Sequence, residues 1–397
     1  MSSSCRRGHD RTPAAGPLDD DDLLCEILIR LPPQPSSLPR ASAVCKRWRR
    51  LVSDPGFSRR FRLRHRRNPP LLGFFDRFGG RSFVSTLEPP NCIPPERFSL
   101  QRDEDYVRSM SLGCRRGLFL IFLSKPRQVL VWDPITGDEH HIAVPAPFDT
   151  KNTLVNGAVL RDADDVQHFQ VVLAVADGSN YKQIRASTCI YSSKTGLWGN
   201  LISTPIPYED HVSRFRVPTM VYTDEAVLAG DYLHWVLAGN IFGILEFDLV
   251  KQSLAVIRVS ADMRGEGKCL KLMRAMGGGL GCLVVSESDC TAQLWKRKTD
   301  RDGVTSWGLA RTIELEKLLS LKSAEKCTLY ILGIAEENNV VLLWTMIGLV
   351  MINLESLKFK KLFKTGIISR YHPFESVYAS GACVDGGQDG ARLLLNT

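Results

Sequence analysis

The chain has 397 residues, 44% of them apolar and 24% charged, which is ordinary for a soluble globular protein and argues against a disordered or fibrous one. Its net charge of +8 is concentrated. Eleven basic residues and a single acid, Asp54, lie between Arg40 and Arg67, so the remainder is close to neutral and a nucleic-acid role cannot rest on overall charge.

Met1 to Pro17 is polar, has no apolar stretch of signal-peptide type, and is expected to be a disordered tail. The chain then becomes helical in pattern. Leu23, Leu24, Ile27, Leu28 and Leu31 recur at the spacing of one apolar helix stripe. Asp19 to Asp22 offer an N-cap and negative charge for the helix start, and Pro32-Pro33 stop the helix. After a Pro/Ser loop, a second helix is expected from near Pro39, with Ala41, Val44, Cys45, Trp48, Leu51 and Val52 on its apolar face. Ser53-Asp54-Pro55 should end it and open a third, carrying Phe57 and Phe61 one turn apart. Three short helices give a thin core, so part of this apolar surface is expected to be covered by a partner or by the following domain.

These residues resemble a known family. Leu18, Leu23-Leu24-Cys25-Glu26-Ile27-Leu28, Arg30-Leu31-Pro32, Val44-Cys45-Lys46-Arg47-Trp48 and Ser53-Asp54-Pro55-Gly56-Phe57 resemble the F-box. Asp19 stands where a Pro often follows the first Leu, and the loop from Pro33 to Leu38 is about two residues longer than the common form. The proline-rich loop is similar to that of plant, especially grass, F-box proteins. The resemblance implies docking on the Skp-family adaptor of a cullin–RING ubiquitin ligase. It implies that Leu18, Leu23, Leu24, Ile27, Leu28, Leu31, Pro32, Val44, Cys45, Trp48 and Leu51 bind the adaptor. The module is expected to span 18–67, ending in a basic linker.

Arg59 to Arg67 could touch nucleic acid or an import receptor, but Phe57 and Phe61 are spaced for packing rather than for stacking bases. A solvated helix face is the simpler expectation, and nucleic acid is the alternative partner.

From 68 to 397, short apolar runs alternate with turn residues, which predicts an all-β domain. A strand ending in a large apolar residue and then a small polar one recurs at Phe75-Asp76, Trp132-Asp133, Tyr191-Ser192, Phe247-Asp248, Trp295-Lys296 and Ile352-Asn353. Lys296 breaks the rule. Markers 48 to 59 residues apart, with three or four strands each, have the cadence of propeller blades. Six markers predict a six-bladed β-propeller, closed by C-terminal strands at Val377–Val384 and Arg392–Leu395. The region resembles the kelch-like associated domains of plant F-box proteins, with Tyr371 to Tyr378 similar to their closing motif. A β-sandwich or two smaller β domains is the alternative.

No catalytic pattern is found. Gly277 to Gly281 fails the dinucleotide and phosphate-loop patterns and reads as a turn. His140-His141 would point to opposite faces of a strand and chelate poorly. Asp162, Asp164 and Asp165 lack calcium-loop spacing. No cofactor or metal is expected. Eleven dispersed cysteines without a CxxC pair read as reduced thiols in an intracellular protein, cytoplasmic or nuclear. The charge-free run Val340 to Leu354 is too short to span a membrane and fits two strands. The expected function is a non-catalytic, substrate-recruiting subunit of a Skp–cullin–F-box ligase. The alternatives are a nucleic-acid binder or a propeller enzyme or glycan binder. Target loops are expected among 102–105, 161–165, 208–214 and 297–303.

Overall fold

A computed structural model describes residues 16, 18, 20–76, 83–98, 100, 109–148, 154–161, 168–177, 184–207, 218–300, 304–322, 328–362 and 370–378. The expected tail, except Gly16, lies outside them. The chain forms two compact units, Met1–His65 with Val377–Thr397, and Arg66–Ser376.

Among the described residues the first unit holds four helices: α1 (Asp21–Leu28), α2 (Ser37–Val44), α3 (Lys46–Val52) and α4 (Pro55–His65). Asp20 caps α1, its carboxylate accepting from the N–H groups of Asp22 (2.8 Å) and Leu23 (3.1 Å). The single second helix expected from the sequence is two. Cys45 is extended (φ −163°, ψ 168°) and breaks the run, and its Sγ accepts from Trp48 N–H at the start of α3. Asp54 Oδ1 caps α4 through the Phe57 N–H at 2.8 Å, with Pro55 in the first turn, where its missing N–H costs nothing. Leu24, Leu28, Leu38, Ala41, Val52, Phe57, Phe61 and Val377 make the core of this unit. Phe57 and Phe61 stack at 6.2 Å, one turn apart as the spacing predicts.

The second unit is a six-bladed β-propeller. Its strands are β1 (Leu71–Asp76), β2 (Phe83–Ser85), β3 (Ser109–Arg115), β4 (Leu118–Ser124), β5 (Arg127–Trp132), β6 (Glu139–Ala143), β7 (Asn156–Arg161), β8 (Phe169–Asp177), β9 (Arg185–Ser192), β10 (Leu197–Trp198), β11 (Ile202–Pro205), β12 (Met220–Val221), β13 (Val227–Ala229), β14 (Tyr232–Ala238), β15 (Gly243–Asp248), β16 (Ser253–Arg258), β17 (Lys268–Arg274), β18 (Leu280–Ser286), β19 (Thr291–Thr299), β20 (Thr305–Glu314), β21 (Leu329–Ala335), β22 (Val340–Thr345), β23 (Gly348–Asn353), β24 (Phe359–Lys361) and β25 (Tyr371–Glu375). They form six antiparallel sheets, β25-β1-β2, β3 to β6, β7 to β11, β12 to β16, β17 to β20 and β21 to β24. The charge-free run from Val340 is the β22–β23 hairpin.

The repeated marker has a physical cause. In four sheets it ends the third strand, and its polar residue organises the next turn. Asp133, Asp248 and Asn353 accept from N–H groups two and three residues on, while Ser192 C=O accepts from the Gly196 N–H at 2.8 Å. The residue four places on is left-handed: Gly137 (φ 82°), Gly196 (φ 72°), Gln252 (φ 50°) and Leu357 (φ 57°). Lys296 departs because β19 runs on to Thr299, and Asp300 takes over the cap, accepting from Val304 N–H at 2.8 Å. Gln252 is an exposed residue in a glycine conformation, so Gln252→Gly is expected to stabilise the unit by up to about 1 kcal/mol in urea unfolding.

The ring closes earlier in the sequence than expected. β25 pairs with β1, Phe74 opposite Pro373 and Phe75 opposite His372, so both ends of the unit share one sheet. Val377 and Tyr378 are not in a strand, and 379–397 lie outside the described residues. β25 touches β3 and β21, the inner strands of the flanking sheets. The first marker, Phe75-Asp76, therefore sits on a second strand, one strand out of phase with the rest. A Cβ on Gly333 of β21 would lie 2.7 Å from Tyr371 C=O, so glycine is what lets these inner strands approach.

Candidate functional site

The helical unit divides its apolar residues between two jobs. Leu24 and Leu28 are buried in its core, whereas Leu23 and Ile27, one turn apart on α1, are 51% and 42% exposed. A five-residue stripe containing both Leu23 and Leu24 spans too much of the helix circumference to face one way, since adjacent residues are about 100° apart. Leu18, Pro32, Val44 and Cys45 are exposed, Val44 at 61%. Leu31, Trp48 and Leu51 are half-buried against the core. Arg47, part of the F-box-like run but not among the residues expected to bind the adaptor, ties this surface together. Its guanidinium pairs with Asp21 (2.7 Å) and donates to Leu18 C=O (2.6 Å), fixing the segment before α1.

Arg59, Arg60 and Arg64 of α4 are exposed, as is Arg67 beyond it, while Phe57 and Phe61 point inward. The basic segment is thus a charged helix face without outward aromatics. His65 packs on Phe61 at 4.6 Å and its Nε2 meets Ile29 C=O at 3.0 Å; burial pushes its pKa down, against the pull of that carbonyl.

The second cluster is at the ring centre. The inner strand of the fourth sheet is interrupted between β12 and β13, and residues 222–226 meet the inner strands of other sheets. Asp224 pairs with Arg370 (2.6 Å) and Lys271 (3.9 Å), and Glu225 with His372. Arg115 links Glu336 (3.1 Å) to Ala226 C=O (2.9 Å), Arg274 pairs with Glu337 (2.9 Å), and Asn156 donates to Asp224 C=O (2.8 Å). Glu375, on the closing strand, accepts from Asn338 N–H (2.8 Å), Asn338 Nδ2 (2.7 Å) and Glu337 N–H (3.2 Å), and the same Asn338 amide reaches Pro69 C=O. Burial pushes Glu336 up, against the pull of Arg115 and Arg274. Burial likewise pushes Glu375 up to about 7, against its three N–H donors. No sequence motif marks this cluster, since it is assembled from short groups, Asp224-Glu225, Glu336 to Asn338 and Arg370 to Glu375, that lie far apart in the chain and join single residues such as Arg115 and Arg274. The available signal was a charge ending an apolar inner strand, as at Arg115, Arg161 and Arg274.

A pH dependence follows from Glu375. A carboxyl raised in the folded state stabilises below its unfolded pKa, near 4.3, and that stability is lost as pH rises through about 7. The melting temperature of the β unit should therefore fall relative to Glu375→Gln as pH rises from 5 to 8. Parallel profiles for the two proteins would count against the assignment.

Among the described residues, no group of three or more His, Cys, Asp and Glu could hold a metal ion. His140 packs on Phe169 while His141 approaches Glu139 at 3.6 Å, so the pair splits as expected of neighbours on a strand. Gly277 to Gly279 form the tight turn before β18, all with positive φ.

The sequence matches two family models. Residues 111–379 match that described as F-box protein AT5G49610-like, beta-propeller, and residues 21–64 match F-box-like. The chain belongs to the AT5G49610-like F-box protein family. It is 24% identical over 255 residues to F-box protein At5g03970 of Arabidopsis thaliana, covering 61% of this chain and 57% of that protein. It is also 24% identical over 217 residues to a second Arabidopsis F-box protein, At3g16210, covering 54% and 53%. The chain thus spans little more than half the length of either relative. Apo AztD from Citrobacter koseri superposes at a TM-score of 0.30 with 9% identity, covering 66% of this chain and 72% of that one, too loosely to inform function.

Of the eleven residues anticipated for docking, the F-box exposes Leu18, Leu23, Ile27, Pro32, Val44 and Cys45, half-buries Leu31, Trp48 and Leu51, and buries Leu24 and Leu28 in its core. Among the anticipated target loops of this F-box protein, 102–105, 162–165, 208–214 and 301–303 lie outside the described residues. Arg161 pairs with Asp133 (3.4 Å) and Arg297 with Glu246 (2.6 Å). No helix among the described residues is long and apolar enough to cross a membrane.

Proposed function

We propose that this F-box protein is a substrate-recognition subunit of a Skp–cullin–F-box ubiquitin ligase. The observation that supports this most is that the F-box has closed a core of its own and still leaves Leu23, Ile27 and Val44 exposed. Apolar surface of this kind gains about 25 cal/mol per Å² when a partner covers it. Docking on a Skp-family adaptor uses Leu18, Leu23, Ile27, Pro32, Val44 and Cys45 as contacts. Leu31, Trp48 and Leu51 share their surface between core and partner, and Leu24 and Leu28 hold the helices that present it. The propeller recruits the target and makes no bonds itself; holding target lysines beside a ubiquitin-loaded enzyme raises their effective concentration. Dispersed cysteines without a CxxC pair support a reducing compartment, cytoplasmic or nuclear. Co-expression with a Skp-family adaptor and a cullin amino-terminal domain should yield one complex on gel filtration. Elution of the F-box protein alone would sink the reading.

A second reading, a small polar ligand or glycan at the ring centre, draws on the convergence of Asp224, Glu225, Glu336, Glu337, Glu375 and His372. Each of these carboxylates already meets a cation or an N–H donor from a neighbouring strand, which favours a role in holding the ring.

A further inference from the structure

The outer strand of an antiparallel sheet leaves one row of backbone N–H and C=O groups unpaired, and short outer strands limit that exposure. Five sheets of this propeller follow the rule: β2 has three residues, β6 five, β10 and β11 two and four, β16 six and β24 three. The outer strand β20 has ten. Thr305, Ser306, Leu309, Ala310, Thr312 and Glu314 along it are exposed, and Val304 before it is 60% exposed.

The register identifies the usable part. Trp295 faces Leu309 and Leu294 faces Arg311, so Ala310 is the extra residue of a bulge that ends the regular stretch. Asp300 N–H donates to Val304 C=O at 3.0 Å. By the alternation of antiparallel pairing, Thr305, Trp307 and Leu309 then turn their N–H and C=O groups away from β19. Five residues, about 17 Å of strand, are presented.

The two faces of this edge differ. Trp307 and Leu309 lie on one side, where Trp307 packs toward the neighbouring sheet with its indole N–H donating to Arg258 C=O at 3.1 Å, and Leu309 is 48% exposed. On the other, Lys298 of β19 lies across Gly308: a Cβ there would be 3.3 Å from its Nζ. Lys298 is exposed, and neither it nor Lys296 makes an ion pair among the described residues. The edge thus offers a main-chain ladder with the apolar Leu309 side chain on one face and ammonium groups on the other.

We infer that Thr305–Leu309 is a strand-addition edge that takes an extended segment of the recruited target in which acidic and apolar residues alternate. The inference rests on the target-recruiting reading and adds where the target lies and what it looks like. Main-chain bonds hold the segment, its acids meet Lys298 and Lys296, and its apolar residues pack beside Leu309.

The test uses the full chain and a labelled peptide, Gly-Ser-Val-Glu-Val-Glu-Val-Ser-Gly, with a control in which Lys replaces Glu, followed by fluorescence anisotropy. The acidic peptide should bind and the basic one should bind at least about tenfold more weakly. Leu309→Pro, which removes an outward N–H and leaves pairing to β19 in place, should weaken binding about tenfold or more. Lys298→Glu, a surface change that leaves the backbone alone, should reverse the peptide preference. Amide exchange should slow at Thr305, Trp307 and Leu309 on peptide addition. Equal binding of both peptides, binding indifferent to Lys298→Glu, or a dimer in sedimentation that Leu309→Pro abolishes would overturn the inference, the last by giving the edge to a second copy. Adaptor co-purification separates the two readings. A chain that holds the adaptor but ignores the acidic peptide loses only the edge; one that binds the peptide without the adaptor loses the ligase role.

Discussion

Replacing Leu23 and Ile27 together by aspartate is expected to weaken adaptor binding by about a hundredfold or more without unfolding either unit. Both side chains are roughly half exposed, so each has about half its surface left to bury. At about 1.5–3 kcal/mol for full burial of each, the pair forfeits about 1.5–3 kcal/mol. Two carboxylates pressed into an apolar contact add a further cost, on the order of 1–3 kcal/mol each. Each 1.4 kcal/mol is a factor of ten in affinity. Neither residue belongs to the core, so helicity and melting should change little. Leu24→Ala is the contrasting variant: it empties a fully buried site and should cost about 2–5 kcal/mol of stability. Circular dichroism beside adaptor titration separates the two, and equal loss of helicity in both would mean that Leu23 and Ile27 support the fold rather than the contact.

The second large effect is expected in the propeller. Phe374→Ala should lower the stability of the β unit by about 3–5 kcal/mol. Phe374 is fully buried on the closing strand, with ring centroids 5.4 Å from Phe75, 5.4 Å from Phe98 and 6.3 Å from Phe83. Phe75 in turn meets Phe119 at 5.0 Å and Trp132 at 5.7 Å, so one aromatic cluster joins the sheet that contains both chain ends of the unit to its neighbour. Truncating Phe374 opens a cavity where the ring is joined. Phe359→Ala on the outer strand β24, 41% exposed, should change stability by no more than about 0.5 kcal/mol. Urea unfolding followed by tryptophan fluorescence measures both, and similar midpoints would remove closure by β25 as a main source of stability.

The class of both units could be read from local chemistry. Cap residues, prolines and apolar spacing mark α1 and α4. The aromatic–polar pairs mark the blades because a tight turn follows a buried strand end at the same point of four repeats, an Asx turn at Asp133, Asp248 and Asn353. What failed to show depended on tertiary contacts. Periodicity continues through Cys45, and only its extended backbone and the Sγ bond to Trp48 split the helix. Leu24 and Leu23 look alike in sequence, and which one faces inward is decided by Leu38, Phe57 and Phe61 from other helices. Tyr371 to Tyr378 resembles a closing motif, yet the closing strand was expected just downstream, from Val377; pairing with β1 and the Asn338 donors make Tyr371–Glu375 the strand that closes the ring. At the ring centre, charged groups from different sheets are separated by tens of residues, so no local window contains two of them.

An adaptor bound as proposed covers the exposed face of α1. Hydrogen exchange read at single-residue resolution on the complex with a Skp-family adaptor tests this directly. Slowed exchange confined to α1 and to the stretch from Val44 to Leu51, absent in Leu23→Asp/Ile27→Asp, is the predicted result. Protection falling instead on the propeller sheets, with α1 unchanged, would contradict it.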